Sequence, residues 1–314
     1  MADIPKQWEL DLTISIVSWN TRQDLLECLG SIVPEDKREN PDSTALDIDG
    51  LSVEVIVVDN GSEDASARWV SRRFPCVTVL PQKENLGYAR GNNLAFAASR
   101  GRLVLVLNPD TLVSRGALAE LVRFAEADPF LGIAGPRVLN PDGTLQYSAR
   151  KFPTLAAGLY RHSILGRLFP DNKATRDYLQ TDWLHDDARE VDWVSGCAML
   201  IKRDALIDVG GFDEDYYMYV EDVDICWRAR KAGWTVWFCP DAVITHRKAR
   251  ASDLVPNRMI FEHHKSMYRF FCKNYRPSAS VFERIVTPIG IYARAMFFIS
   301  RNKWRKWLKG APRG

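Results

Sequence analysis

Short apolar runs that close on polar residues set the rhythm of the first third of the chain. Thr13-Ile14-Ser15-Ile16-Val17-Ser18-Trp19 alternates and breaks at Asn20, and Val53-Glu54-Val55-Ile56-Val57-Val58 gives way to Asp59-Asn60-Gly61-Ser62. Val77-Thr78-Val79-Leu80 precedes the stretch from Asn85 to Asn93, and Leu103-Val104-Leu105-Val106-Leu107 stops at Asn108-Pro109-Asp110. Continuous apolar runs with β-branched residues read as strands buried on both faces, as in a parallel sheet covered by helices. Between them Leu25, Leu26, Leu29 and Ile32 recur at helical spacing, Ala67 and Val70 mark a second helix, and a third runs from Leu94 to Ser99. The resulting βαβαβ order predicts half of a nucleotide-binding α/β fold, with the Leu103 run as its central strand. Pro109 cannot donate to a ladder, so the strand ends there and leaves Asp110 at its carboxyl end, where open α/β sheets place their ligands. Taken alone, Asn-Pro-Asp reads equally as a turn.

The pattern loosens elsewhere. Pro34 to Ser52 is polar and acidic and reads as an extended surface loop. Gly116 to Asp128 has a helical apolar face closed by Pro129, Ile133-Ala134-Gly135 is a short strand, and Asn140-Pro141-Asp142-Gly143 is a plain turn. Arg150 to Arg189 is irregular and offers no assignable site residue. A strand follows from Val191 to Ile201, with Trp193 at its start either stacking on a sugar face or joining the core. From Val223 a helix begins, so Glu221 and Asp222 stand at its N-terminus, where the macrodipole favours ionised carboxylates by roughly 0.3–1 kcal/mol. Such a carboxylate can accept a proton, or simply make a favourable helix start. Trp234 to Phe238 is a further strand, and the run Val243-Ile244 leads to His246 and the basic residues Arg247, Lys248 and Arg250.

Composition narrows the options. A chain of 314 residues with net charge +2 and 46% hydrophobic content is globular and, as a whole, unsuited to binding nucleic acid. The six cysteines form no C-x-x-C pair and read as reduced. Met1 to Leu12 lacks the apolar core of a secretory signal, which points to the cytosol, and no window of about 18 apolar residues predicts a spanning helix. Phe261 to Tyr275 mixes aromatics, His263, His264 and basic residues, and Val281 to Ser300 is apolar but interrupted by Glu283, Arg284, Pro288 and Arg294. Arg301 to Lys309 is basic with interleaved Trp304 and Trp307. That composition suits an anionic bilayer surface, the alternative being a helix packed on the main domain with a solvated basic end.

In the Asn85 to Asn93 stretch, glycines allow close backbone approach, the following helix offers free N–H groups and Arg90 supplies a cationic fork, a set suited to a diphosphate. Val17-Ser18-Trp19-Asn20, Asp59-Asn60-Gly61-Ser62, this stretch, Asn108-Pro109-Asp110, Gly210-Gly211-Phe212-Asp213-Glu214 and Glu221-Asp222-Val223-Asp224 fall in an order that resembles family 2 glycosyltransferases of the GT-A fold, over roughly Ser15 to Arg250. The resemblance implies an α/β GT-A fold: a mostly parallel nucleotide-binding sheet flanked by helices, with a C-terminal helical basic and aromatic appendage. It divides the chain into a glycosyltransferase domain at 1–255, comprising a nucleotide-sugar half at 13–130 and an acceptor and catalytic half at 131–255, and a membrane-associating segment at 256–314.

Carried onto these motifs, the resemblance assigns Ser18, Trp19, Asn20, Asp59 and Asn60 to the nucleotide base, with Asp59 on its ring. Gly87, Arg90, Asn93 and Asn108 lie along the nucleotide and diphosphate. Asp110 binds Mg²⁺ or Mn²⁺. The family's common Asp-x-Asp is reduced here to one carboxylate by Asn108, and His246, matching a ligand in several members, compensates. Asp222 matches the catalytic base, with Glu221, Asp213 and Trp193 supporting it or the acceptor, and Asp224 in an orienting role. Asn-Leu-Gly-Tyr-Ala-Arg, Leu-Asn-Pro-Asp-Thr and Val-Asp-Trp-Val-Ser-Gly resemble the bacterial rhamnosyltransferase branch. The implied reaction is inverting transfer of L-rhamnose from dTDP-L-rhamnose to a polyprenyl-diphosphate-linked glycan for cell-surface polysaccharide, at the cytoplasmic face of the inner membrane, with no nucleic-acid partner. The competing readings are a UDP- or GDP-sugar transferase, a catalytically silent nucleotide-binding membrane scaffold, and a nucleotidyltransferase.

Overall fold

The computed structural model describes residues 8–38, 44–154, 172–247 and 256–310. Strand β1 (Leu10–Ser18) leads into helix α1 (Arg22–Ile32), followed by β2 (Leu46–Ile48), β3 (Leu51–Asp59), α2 (Ser66–Arg73), β4 (Thr78–Pro81), α3 (Tyr88–Ala98) and β5 (Gly101–Leu107). β1 lies between β3 and β5 and runs parallel to both, with Ser18 opposite Asp59 and Ile16 opposite Leu107. This register brings the carboxyl ends of the three strands to one edge. Alternate residues of β5 face opposite layers: Leu103, Leu105 and Leu107 pack with α1 and α4, and Val104 and Val106 with the elements of the second half.

The second half adds β6 (Thr111–Val113), α4 (Ala117–Glu126), β7 (Leu131–Leu139), β8 (Ala149–Arg150), α5 (Lys173–Leu179), β9 (Arg189–Glu190), β10 (Trp193–Val194), β11 (Ala198–Lys202), α6 (Arg203–Val209), α7 (Glu221–Lys231) and β12 (Thr235–His246). β11 pairs antiparallel with β5 and β7, β12 runs parallel to β7, and β6 closes antiparallel on β12. The sheet is therefore parallel from β4 through β3 and β1 to β5, with β2 added antiparallel to β3, and mixed beyond β5. At the C-terminus α8 (Pro256–Phe270), a π-helical turn at Phe271–Tyr275 and α9 (Val281–Gly310) form a helical layer. No helix among the described residues is long and apolar enough to cross a membrane.

Four local expectations change. The polar stretch before Ser52 contains β2, antiparallel to β3, with Leu46 and Ile48 buried and Asp47 exposed. The Val191 to Ile201 run is interrupted at Ser195-Gly196-Cys197, which separates β10 from β11. The irregular Arg150 to Arg189 stretch contains α5, whose first N–H groups are capped by Asn172 Oδ1 accepting from Thr175 N. α3 begins at Tyr88, six positions ahead of Leu94. Gly-Asn-Asn has weak helix propensity, but tertiary contacts decide: a Cβ on Gly91 would meet Val17 Cγ1 at 2.9 Å, and buried Asn92 accepts from Ser15 Oγ at 2.8 Å.

Candidate active site

The motifs that follow β1, β3 and β4 meet at the aligned strand ends. Asn60 N donates to Ser18 O at 2.8 Å, and Ser62 Oγ accepts from Asn20 N at 3.0 Å, so the turns after β1 and β3 hold each other. Asn20 adopts φ +53° and its Oδ1 accepts from Glu63 N at 2.8 Å. Trp19 stands beside this turn, half-buried. Asp59 is buried at the end of β3. Burial raises its pKa, and hydrogen bonding to Ser62 pulls against that. Asn60 pins the next motif: its Nδ2 donates to Asn85 Oδ1 and Gly87 O, and its Oδ1 accepts from Leu86 N. Gly87 has φ +90°, and a Cβ there would fall 2.4 Å from Tyr217 O. The glycine thus permits the loop before α3 to abut the 211–220 loop, to which Tyr88 N donates at Tyr217 O, 2.7 Å.

A second cluster forms where β6 pairs with β12. Thr111 lies opposite His246, which brings His246 Nε2 to 3.2 Å from Asp110 Oδ1 and 3.4 Å from Asn108 Nδ2. β12 reaches this point because the register slips between Cys239 and Val243, a bulge that accommodates Pro240 without ending the strand. On its far side His246 Nδ1 meets Gln146 Oε1 at 3.1 Å, and Gln146 Nε2 donates to His246 O at 2.6 Å. Burial alone would keep the imidazole neutral, but the adjacent Asp110 carboxylate and Cys197 sulfur raise its pKa to about 10. With Nδ1–H donated to Gln146, the second proton of the imidazolium lies on Nε2 against the Asp110 carboxylate, where a bound cation would take that proton's place. Cis ligands of an octahedral cation at about 2.1 Å stand about 3 Å apart, so this oxygen and nitrogen fit two adjacent positions around a divalent ion. Among the described residues no three His, Cys, Asp or Glu side chains converge, so further ligands would come from diphosphate and water.

The third cluster is the start of α7. Tyr219 and Val220 both adopt left-handed backbone, φ +70° and +67°. For a β-branched residue this is a true outlier, costing on the order of 1–3 kcal/mol, and it persists because the surroundings over-determine it. Ser266 Oγ donates to Met218 O at 3.0 Å, the His263 ring lies edge-on to Tyr219, and the Arg258 guanidinium covers the Tyr217 ring. The strained pair turns the chain so that Asp222 meets the Ser195–Cys197 break: its Oδ2 accepts from Gly196 N at 3.0 Å and its Oδ1 from Val223 N at 2.9 Å. The Gly196 peptide is gripped from its other side by Tyr88 Oη, which donates to Gly196 O at 2.7 Å. Burial raises the pKa of Asp222, whereas the two N–H groups and Arg150 pull it down. Glu221 is buried, its Oε2 has no hydrogen-bond partner, and burial followed by the Asp222 charge holds its pKa well above the usual carboxylate range. Of the two neighbours, Asp222 has a backbone N–H donor on each carboxylate oxygen, whereas Glu221 Oε2 has none, so the surroundings favour charge on Asp222 over Glu221.

Other expected site residues have different surroundings. Trp193 is 5% exposed in the core, its Nε1 donating to Lys151 O and its ring covered by Arg150, so the core alternative holds and the sugar platform does not. The Asn93 amide is engaged with the protein itself, donating to Phe212 O and Glu214 Oε1 and accepting from Phe212 N. It clamps the Gly-Gly-Phe-Asp-Glu loop and leaves no amide group for a diphosphate. Arg90 is exposed at the cleft margin, 3.9 Å from Glu214. Asp213 accepts from Lys273 Nζ at 2.7 Å and Arg269 Nη2 at 3.1 Å. Burial would raise its pKa, but these cations hold it below the usual range, so it anchors the loop to the C-terminal layer. Arg247 pairs with Glu27 and Asp24, and Lys248 and Arg250 lie outside the described residues. Sequence reading gave no role to Tyr88 and Gly196, although both lie inside quoted motifs, and missed Gln146, Arg150, Arg269 and Lys273, which lie in none.

The chain matches the profile of glycosyl transferase family 2 over residues 13–210. It is 37% identical over 235 residues, 71% of this chain and 76% of the relative, to the N-acetylglucosaminyl-diphospho-decaprenol L-rhamnosyltransferase of Mycobacterium tuberculosis H37Rv. Rhamnosyltransferase WbbL of Escherichia coli K12 is 26% identical over 207 residues, 63% of this chain and 75% of that protein. Among solved structures, a mannosyltransferase from Pyrobaculum calidifontis in complex with GDP-Man and Mn2+ superposes with a TM-score of 0.54 at 18% identity, covering 94% of this chain and 76% of that one, a likeness of fold.

Proposed function

The chain belongs to glycosyl transferase family 2 and has the α/β GT-A fold of a glycosyltransferase, and on that premise we propose that it transfers L-rhamnose, with inversion, from dTDP-L-rhamnose to a hydroxyl of a lipid-diphosphate-linked glycan in cell-surface polysaccharide synthesis. The sugar and acceptor class rest on the 37% identity to the mycobacterial rhamnosyltransferase. The observation that carries the catalytic assignment is the Asp222 carboxylate, each oxygen of which accepts a backbone N–H, beside a buried Glu221 whose Oε2 has no partner.

In this reading the nucleotide base lies against Asp59 and the turns of Ser18, Trp19 and Asn20. The diphosphate runs along the Gly87 to Arg90 helix start towards Asn108. Asp110 and His246 would hold Mg²⁺ or Mn²⁺, with Gln146 fixing the imidazole tautomer, and a bound cation would neutralise charge on the departing diphosphate. Asp222 takes the proton of the acceptor hydroxyl as that oxygen forms its bond to the anomeric carbon and the bond to the diphosphate breaks. The acceptor's lipid brings the enzyme to the cytoplasmic face of the inner membrane, where the basic Arg301 to Lys309 end meets anionic headgroups.

Calorimetric titration with dTDP, UDP and GDP, each with Mn²⁺, Mg²⁺ or chelator, tests the donor. Tightest metal-dependent binding of dTDP is expected, followed by dTDP release from dTDP-L-rhamnose on addition of an N-acetylglucosaminyl-diphosphate lipid. Preference for UDP or GDP keeps the transferase and removes rhamnose, release of pyrophosphate from a nucleoside triphosphate indicates a nucleotidyltransferase, and failure to bind any nucleotide removes the enzymatic reading in favour of a scaffold.

A further inference from the structure

α9 packs on α8 through one face only. Ile291 and Ala295 are buried, Phe298 meets His264, Tyr292 meets Tyr268, and Asn302 Nδ2 donates to Asn257 Oδ1 at 3.2 Å. On the outward face Val281, Phe282, Ile285, Ile289, Met296 and Phe297 each leave more than half of their surface exposed. Phe282, Ile285, Ile289 and Met296 follow helical spacing, so this is one continuous stripe and not scattered exposure. Exposed Lys303 stands beside exposed Trp304 at the far end of the stripe, while Arg284 at the near end lies off the stripe and donates to Ala279 O and Pro277 O. The helix's one acidic residue, Glu283, is already occupied, its Oε2 accepting from Ser280 N and Ser280 Oγ at 2.8 Å.

We propose that α9 is an interfacial docking helix, lying flat in the headgroup layer of an anionic bilayer with the Phe282–Ile285–Ile289–Met296–Phe297 stripe inserted between acyl chains. The charge pattern selects this occupant. A second copy would offer the Lys303 end no free carboxylate from its own α9, whose one acidic residue is Glu283, already held by Ser280. Anionic headgroups complement the Lys303 end while hydrocarbon takes the apolar stripe. The proposal rests on the lipid-linked acceptor reading for its purpose and adds a geometry to it. α8 separates the stripe from the catalytic loop by a single helix layer, because its opposite face holds Met218, Asp213 and Tyr219. At about 10 Å per packed helix, the base loop stands about 20 Å above the acyl boundary, on the side from which a lipid diphosphate projects.

The test is flotation of the purified full chain, without donor or acceptor, on vesicles of phosphatidylcholine and of an equal mixture with phosphatidylglycerol. Ile289→Glu and Phe297→Glu are compared, with unchanged thermal midpoint and dTDP binding as the check on folding. Wild type should float with the mixed vesicles, and each variant should partition about tenfold less or worse, the equivalent of losing one buried apolar side chain. Wild type that stays in solution, variants that float equally well, or sedimentation showing a dimer that Ile289→Glu dissociates would each overturn the proposal. Turnover of a water-soluble short-chain diphosphate acceptor, measured in parallel, reads the catalytic assignment separately: turnover without flotation refutes only the docking helix, and flotation without turnover refutes only the reaction.

Discussion

Replacing Asp222 by asparagine preserves size but breaks a specific arrangement. Both carboxylate oxygens accept backbone N–H groups, from Gly196 at 3.0 Å and Val223 at 2.9 Å. An amide has one acceptor oxygen, so whichever way it turns, its NH₂ faces one of those donors and that N–H loses its partner. An unsatisfied buried donor costs about 1–3 kcal/mol. At about 2 °C per kcal/mol for a chain of this length, the thermal midpoint should fall by a few degrees. The effect on turnover should be far larger: loss of a positioned general base costs about 10²–10⁴ in rate. Donor affinity should be unchanged, because the proposed nucleotide site lies at the β1 and β3 turns, away from Asp222. Stopped assays of dTDP release give kcat, calorimetry gives dTDP affinity, and scanning calorimetry gives the midpoint. The pH profile of wild-type kcat/KM adds a second readout. Burial raises the Asp222 pKa, so the acid limb should lie above the ordinary aspartate range, and it should vanish from the residual activity of D222N. A variant retaining kcat within tenfold of wild type, with dTDP binding intact, would refute the base assignment.

Other expectations follow from the same geometry. Gln146→Ala removes the acceptor that fixes the His246 tautomer and should weaken Mn²⁺-dependent dTDP binding about 10–100-fold with little change in metal-free binding, measured by calorimetry. Gly87→Ala places a Cβ 2.4 Å from Tyr217 O at φ +90°, so urea denaturation should show a loss of at least about 2 kcal/mol, accompanied by a fall in kcat. Asp213 has a folded pKa below its unfolded value, and so contributes stability that is present above about pH 4 and lost as pH falls through the lowered folded value. Lys273→Met combined with Arg269→Met should make the urea midpoint less steep with pH over that acid range, and an unchanged slope would show that the ion pairs do not couple.

The strands with the longest apolar runs were legible because each is buried on both faces, and their polar terminators lie where expected because parallel register aligns the strand ends. What escaped was set by distant partners. β2 is only Leu46–Ile48, too short for its alternation to stand out from a polar stretch, and it exists because β3 offers an edge. The early start of α3 depends on Gly91 fitting against Val17, which no local propensity reports. Trp193 and Asn93 were read from the chemistry their side chains could offer a ligand, yet the fold engages them internally. His246 was identified by resemblance, and its reach to Asp110 depends on a bulge at Pro240 that a strand pattern would read as an end. Gln146 and Lys273 carried no local signal because each acquires its role only by facing a partner far along the chain.

The 211–220 loop is fastened from two directions, by Asn93 and Tyr88 of α3 and by Ser266, Arg269 and Lys273 on the C-terminal side. This limits how the enzyme can be recombined. The residues after 255 look like a detachable cassette, since the family match ends at 210, but replacing them by a segment without these partners would leave Asp213 without its cations and the left-handed Tyr219–Val220 turn without its support. A chimera that keeps its parent's loop should therefore bind nucleotide and fail to turn over, whereas one that carries loop, α8 and α9 together should transplant as a working unit.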